Sequence, residues 1–271
     1  MKQDWYQLLT KVRDEQPLVH NITNVVVTSF TANGLLALGA SPVMAYAREE
    51  VADMARLARA VVLNIGTLDN EVAEAMILAG KSANQHGVPV IFDPVGVGST
   101  AYRLEVAEKI LSRVKVTAIR GNAGEIAGLI GKSGMTRGVD ALDTGAVDRV
   151  ATASACARQY KTIVVMTGKE DIITDGDTHY LVQNGHPMLT KVTGTGCLLS
   201  SVLGAFAGVE ENHLLAAVSA VASYGVAAEL ASKEAGEKGP GHFQMLFLDQ
   251  LDRLSEEDLV SLGRIQEICR S

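Results

Sequence analysis

Residues 88–99, VPVIFDPVGVGS, hold an apolar, largely β-branched run of strand length that stops at an acid and passes straight into glycines. A run of that length bounded by turn residues is the mark of a buried strand, and the stretch at about 102–114 behind it reads as a helix. The pattern recurs in both directions. Runs at 60–65 (AVVLNI), 116–119 (VTAI) and 162–166 (TIVVM) each lead into polar, glycine-bearing residues, and helices are predicted at about 49–58, 70–86, 123–130 and 144–160. Strands that are apolar along nearly their whole length belong to parallel sheets covered on both faces. The expected fold class is therefore α/β, with a mostly parallel central sheet and helices on both sides.

Further along, residues 171–182, DIITDGDTHYLV, place two β-rich pieces around Asp175-Gly176-Asp177, which predicts a hairpin and hence an antiparallel edge. Two Ala-, Gly- and Ser-rich helices are expected at about 196–208 and 212–232, and 233–243 (KEAGEKGPGHF) is the most loop-like segment. Internal repeats and linkers are not evident, so residues 1–271 are expected to form one domain.

Composition narrows the partners. A chain that is 47% hydrophobic and carries a net charge of -7 can bury a large core, yet lacks the basic surface that nucleic acids or anionic membranes require. A small-molecule substrate is expected instead. Cys156, Cys197 and Cys269 lie far apart and match no metal spacing, which fits a reducing cytoplasm. The first residues, MKQDWYQLLTKVRDEQ, do not follow the order of a secretory signal. The apolar region 198–231 is interrupted by EENH at 210–213 and reads as two buried helices, not as a membrane span.

In open α/β sheets ligands bind beyond the carboxyl ends of the strands. Those positions carry Gly66-Thr67, Asp93 with Gly96 and Gly98, Arg120 with Asn122 and Glu125, and Thr167-Gly168-Lys169, while KVTGTGC (191–197) supplies a glycine loop. Two carboxylates, a guanidinium, hydroxyls and bare backbone are the parts for binding a nucleotide with Mg²⁺, which takes oxygen ligands. Individually, Asp93 reads equally well as a helix cap and Glu125 as a first-turn carboxylate. Neither GxxxxGK[ST] nor a GxGxxG after the first strand is present, which disfavours a Walker ATPase or a Rossmann dehydrogenase. Cys197 has two readings, a small core residue or a group at a helix N-terminus facing the reacting atoms.

With Val19-His20-Asn21-Ile22-Thr23-Asn24, Gly39-Ala40-Ser41-Pro42-Val43-Met44, Asn64-Ile65-Gly66-Thr67, Asp93-Pro94-Val95-Gly96, Arg120-Gly121-Asn122-Ala123-Gly124-Glu125 and Thr193-Gly194-Thr195-Gly196-Cys197 in view, the sequence resembles the hydroxyethylthiazole kinases of thiamin salvage, within the ribokinase-like superfamily. The likeness runs along nearly the whole chain. It implies a ribokinase-like three-layer fold and transfer of the ATP γ-phosphoryl group to the primary alcohol of 4-methyl-5-(2-hydroxyethyl)thiazole. It further implies that Asp93 and Glu125 act on Mg²⁺, that Arg120 and Thr167 contact ATP, and that Asn24, Met44 and Gly194 line the thiazole site. Gly194, Gly196 and Cys197 become the catalytic loop, and a homotrimer with sites between subunits is implied. Without the likeness Met44 would read as core. His20 has no second ligand at metal spacing and is read as positioning its own loop.

Most ribokinase-like kinases carry Asp after the glycine pair, where Cys197 stands here. Phosphoryl transfer through a dissociative transition state asks little of a base, so Cys197 is expected to position the hydroxyl or accept its proton weakly. A helix N-terminus favours thiolate and a nearby triphosphate opposes it, so its protonation stays open at this level. Two readings of other classes compete: a hydrolase with Cys197 as nucleophile and a histidine base, and a noncatalytic ATP-binding regulator.

Overall fold

The computed structural model describes residues 4–131 and 146–268. In chain order these form α1 (Leu8–Glu15), β1 (Leu18–Ile22), α2 (Thr28–Leu38), β2 (Ser41–Val43), α3 (Val51–Leu57), β3 (Ala60–Asn64), α4 (Asn70–Gln85), β4 (Val90–Asp93), α5 (Ala101–Leu111), β5 (Ala118–Asn122), α6 (Ala123–Leu129), α7 (Ala146–Tyr160) and β6 (Ile163–Thr167). There follow β7 (Asp171–Thr174), β8 (His179–Val182), α8 (Thr195–Ala207), α9 (His213–Ala235), α10 (Pro240–Arg253), α11 (Glu256–Leu262) and β9 (Ile265–Ile268). The start of the predicted 144–160 helix and Cys269 lie outside the described residues.

Among the described residues, all nine strands join one sheet in the order β2-β1-β3-β4-β5-β6-β7-β8-β9. Pairing is parallel from β2 through β6 and antiparallel from β6 through β9. Because successive side chains leave a strand on opposite faces, the apolar strands feed two cores at once. Val61 and Leu63 of β3 join Val164 and Met166 of β6 in the core under α4, α5 and α7, while Val62 and Val165 enter the core under α2, α8, α9 and α10. Three layers result, as the apolar strands lead one to expect.

Local signals fix where the helices start. Asp69 caps α4 by accepting from the Val72 N–H (2.8 Å), and Thr100 caps α5 through the Arg103 N–H. The hairpin predicted around Asp175-Gly176-Asp177 is β7–β8, which β9 extends by one more antiparallel strand. The loop-like reading of 233–243 is half right: α9 runs to Ala235, and Pro240 then opens α10 from the first-turn position that proline tolerates.

Among the described residues, α9 is the one helix long and apolar enough to cross a membrane by length and composition, and 78% of its most apolar window is buried within the protein. It is a core helix, packed on α8 and on Phe243 and Phe247 of α10.

Candidate active site

Parallel register aligns the strand ends. Asn64 of β3 pairs with Asp93 of β4, and Thr167 of β6 pairs with Asn122 of β5, so one row of polar residues crowns the middle of the sheet where the apolar strands stop. Onto this row points the first turn of α8.

Asp93 is fully buried. Its Oδ2 accepts from Asn64 Nδ2 (2.7 Å) and from Ser200 Oγ of α8 (2.7 Å), and Arg120 Nη1 stands 3.7 Å away. Oδ1 is buried with no hydrogen-bond partner. Burial pushes the carboxyl up to about 6; Arg120 and the two donors pull it down without cancelling that effect, and Glu125 adds to the rise.

Arg120 spans the site: Nη2 donates to Thr167 Oγ1 (2.9 Å), and Nε is buried without a partner. Burial works against its charge, but Asp93, Glu125, Cys197 and Asp171 together hold its pKa above the ordinary arginine value. A buried guanidinium with donors to spare is a ready phosphate contact.

Glu125 satisfies the structural reading and remains available for the functional one. It forms a capping box with Asn122, Glu125 N–H to Asn122 Oδ1 (2.9 Å) and Asn122 N–H to Glu125 Oε2 (2.8 Å), and its Oε1 also accepts from the Gly96 N–H (2.9 Å). That third bond ties the start of α6 to the glycine turn after β4, and each carboxylate oxygen keeps a further lone pair.

The glycines of the KVTGTGC loop have separate steric reasons. Gly194, the residue before α8, sits at φ +94°, and a Cβ there would meet Val27 at 2.7 Å. At Gly196 a Cβ would lie 2.6 Å from Arg120 Nη1, so glycine is what admits the guanidinium. Gly194 has no side chain to cap α8, whose first N–H groups therefore face the site without a capping partner. Tyr224 of α9, wholly buried, braces this turn by donating to the Thr195 carbonyl (2.6 Å).

Cys197 is buried at the end of that turn, and burial, reinforced by Asp93, pushes its thiol up to about 11; a hydrogen bond with Asn64 and the charge of Arg120 offset this only in part. Here burial outweighs the helix N-terminus, and the group is a neutral thiol at physiological pH. Iodoacetamide should therefore alkylate Cys197 slowly at pH 7, with a rate rising about tenfold per pH unit towards pH 11. A plateau below pH 8, followed by peptide mass spectrometry, would show a thiolate instead.

Asn24 and Met44 follow the ends of β1 and β2, and only Asn24 stands beside this cluster. Asn24 Oδ1 accepts from the Val26 N–H (3.0 Å), its amide packs against Gly66, and the turn it starts brings Val27 and Phe30 onto Gly194. Met44, partly exposed, follows the edge strand β2 and lies apart from the Asp93–Arg120–Cys197 group. His20 is fully buried in β1, with Nε2 donating to the Ala45 carbonyl (2.9 Å), and burial lowers its pKa.

Several residues at this end of the sheet were given no site role by the sequence. Asn64 and Ser200 orient Asp93. Asp171 takes the Gly168 N–H (2.8 Å), and burial raises its carboxyl to about 6. Arg103 donates to the carbonyls of Ile65 (2.6 Å), Val95 (2.7 Å) and Gly66 (3.0 Å), stapling the turns that follow β3 and β4. For Asn64, its place at the end of an apolar run was a usable signal. Ser200 and Arg103 sit within helices and offered none.

Residues 9–257 match the profile of the Hydroxyethylthiazole kinase family. The structure is similar to that of the hydroxyethylthiazole kinase protein from Pyrococcus horikoshii OT3, at 43% identity over 97% of this chain and 98% of that one, with a TM-score of 0.89. A ribokinase-like superfamily protein from Enterococcus faecalis V583 shares the fold at 11% identity, covering 92% of this chain and 89% of that one (TM-score 0.62). So does the pyridoxal kinase from Staphylococcus aureus, solved in complex with pyridoxal, at 15% identity over 93% and 99% of the two chains (TM-score 0.62).

Proposed function

The chain belongs to the Hydroxyethylthiazole kinase family, a kinase family of thiamin salvage with ATP as co-substrate, and on that premise we propose how its residues carry out the transfer. The observation that carries the reading is the uncapped glycine start of α8 set against a buried Arg120 and Asp93. Donors fixed where negative charge develops are the largest lever in phosphoryl transfer.

The alcohol oxygen of hydroxyethylthiazole forms a bond to the γ-phosphorus as the bond from that phosphorus to the ADP oxygen breaks. Backbone N–H groups of the Gly194–Cys197 turn hold the transferring oxygens, and Arg120, braced by Thr167, meets the phosphates of ATP. Asp93 and Glu125 form a hard-oxygen donor set that suits Mg²⁺, and the unpartnered Oδ1 of Asp93 is where such an ion fits; it would supply charge neutralisation on the phosphates. Asn24, Gly194 and Met44 bound the thiazole ring.

Cys197, as a neutral thiol, has no capacity to take a proton and keeps the positioning role, orienting the hydroxyl by a hydrogen bond; the hydroxyl proton passes to an oxygen of the transferred phosphoryl group after bond formation has made it acidic. Cys197→Ala should then retain measurable turnover, and Cys197→Asp should be active. A folded Cys197→Asp protein with no turnover would remove the thiol from this place. A hydrolase reading needs a histidine base beside Cys197; the groups that act on the thiol are Asp93, Asn64 and Arg120.

We read residues 1–271 as one catalytic domain, supported by the membership of the nine strands of the described residues in one sheet. The homotrimer reading has support from Val25 and Val26, 60% and 71% exposed beside Asn24, an apolar surface that a second copy would cover. A cytoplasmic setting agrees with Cys156 and Cys197 as free thiols. The test is a competition assay with Mg-ATP, hydroxyethylthiazole, hydroxymethylpyrimidine and pyridoxal, read by mass spectrometry. Thiazole phosphate with matching ADP is expected. Preferential phosphorylation of another alcohol would move the substrate assignment.

A further inference from the structure

Strand β2 ends two residues before β1 does. Their pairing stops at His20↔Val43, whereas β1 continues beside β3 to Ile22↔Leu63. Beyond that point the β2 chain peels away through Met44, Ala45 and Tyr46, and β1 runs on to Thr23 and Asn24, opening a gap between the two segments proposed to bound the thiazole ring.

Two side chains bridge the gap. His20 Nε2 donates to the Ala45 carbonyl (2.9 Å), which fixes the peptide directly after Met44. The Tyr46 hydroxyl stands in for a missing ladder residue: it donates to the Thr23 carbonyl (3.1 Å) and accepts from the Thr23 N–H (3.4 Å), next to Asn24. His20 is fully buried, and Tyr46 is half-buried with its ring packed against the core under α4. A buried imidazole kept neutral by desolvation is a single N–H donor, so its ring orientation is set by the one carbonyl it meets. Core packing alone asks for neither polar group here; an aliphatic residue at 20 and phenylalanine at 46 would fill the same space.

We propose that His20 and Tyr46 are positioning residues that fix the separation of the Met44 and Asn24 segments, and thereby set which heteroaromatic alcohol the kinase accepts. The inference rests on the reading above that Asn24 and Met44 bound the acceptor subsite. Through these two side chains the clamp acts on the alcohol side of the site; the Arg120–Thr167 pair on the far side of β4 is untouched.

Steady-state kinetics on the full-length protein test it. In Tyr46→Phe and His20→Ala, KM for hydroxyethylthiazole should rise about three- to tenfold, the scale on which one or two lost hydrogen bonds act, while KM for ATP stays within about twofold. Preference for hydroxyethylthiazole over hydroxymethylpyrimidine should narrow in parallel. His20→Gln, which returns an amide donor towards Ala45, should recover most of the loss and serves as the probe if His20→Ala does not fold. Met44→Ala separates the two levels. If it raises the alcohol KM but the clamp variants do not, the clamp is overturned and the subsite stands; if neither Met44→Ala nor Asn24→Ala moves that KM, the subsite reading fails. Equal rises in both KM values, or no recovery in His20→Gln, would make the two residues scaffold only and overturn the proposal.

Discussion

Asp93→Asn is expected to yield a folded protein whose kcat is lower by about 10²- to 10³-fold, the scale on which removing one fixed charge or donor from a preorganised phosphoryl site acts. The substitution keeps the shape of the side chain. Asn64 Nδ2 and Ser200 Oγ can both donate to the new amide oxygen, as they do to Oδ2 now, so the junction of β3, β4 and α8 persists. What disappears is the negative charge facing Arg120 and the free acceptor at Oδ1. Stability should change little, for a reason of sign. The folded-state carboxyl, at about 6, lies above its ordinary value of 3.8, so at neutral pH folding works against this charge, and that cost is relieved as pH falls through 6. Loss of the charge removes that cost, while the amide N–H₂ left buried at the Oδ1 position adds one of similar kind. A melting temperature within about 5 °C of the parent is expected, where each kcal/mol moves it by about 2–4 °C. A near-normal kcat in the folded variant would take Asp93 out of the reaction. A fall in melting temperature well beyond that range would show that the Asp93–Arg120 pair holds the fold together.

Asp93 also shows how much the sequence could disclose. Its place after VPVIF, like that of Thr167 after TIVVM, was legible because buried parallel strands are long unbroken apolar runs and ligands gather where such runs stop. β1 and β2 escaped that logic. The β1 sequence LVHNI has His20 and Asn21 at its centre, which reads as polar until the partners are known: Asn21 accepts from Ser201 Oγ (2.7 Å), and His20 meets the Ala45 carbonyl. Three-residue β2 and edge strand β9 are too short to show a period. Their position is decided by neighbours, not by local propensity.

The site was legible as chemistry but not as geometry. Arg120 and Asp93 were marked by residue type and by their strand-end positions, yet nothing local said that the guanidinium would lie against Gly196, 76 positions along the chain. The protonation of Cys197 turned on the same kind of fact. A helix start and an anionic substrate pull the thiol in opposite directions, and only its burial beside Asp93 decides between them. Arg103 is the plainest omission. As the third residue of α5 it looks like any surface arginine, and its three carbonyl acceptors come from two turns brought together by the β3–β4 pairing.

Gly194→Ala should cost about 10²-fold in kcat together with a clear loss of stability. At φ +94° an L side chain is strained by about 1–3 kcal/mol, and the added Cβ would also meet the Val27 side chain at 2.7 Å, where Val27 is itself held near Phe30 and α2. One of the two must move. Val27 sits in the turn that starts at Asn24, so the displacement reaches both the α8 N–H groups and the acceptor side of the site, and an error of about 1 Å in a positioning element is worth about 10²-fold in rate. Gly87→Ala supplies the comparison that separates strain from displacement. Gly87 has φ +71° in the turn after α4, with nothing within 4 Å of its Cβ position. Its variant should lose stability through backbone strain alone and keep the parent kcat and both KM values below its melting range. If the two variants lose stability alike and neither loses rate, the start of α8 tolerates a shift, and the backbone of the Gly194–Cys197 turn is not what holds the transferring phosphoryl group. If Gly194→Ala alone loses rate, with the Val27→Ala/Gly194→Ala double variant regaining part of it, the clash with Val27 is the cause, and the close approach of that turn to α8 is a requirement of the chemistry.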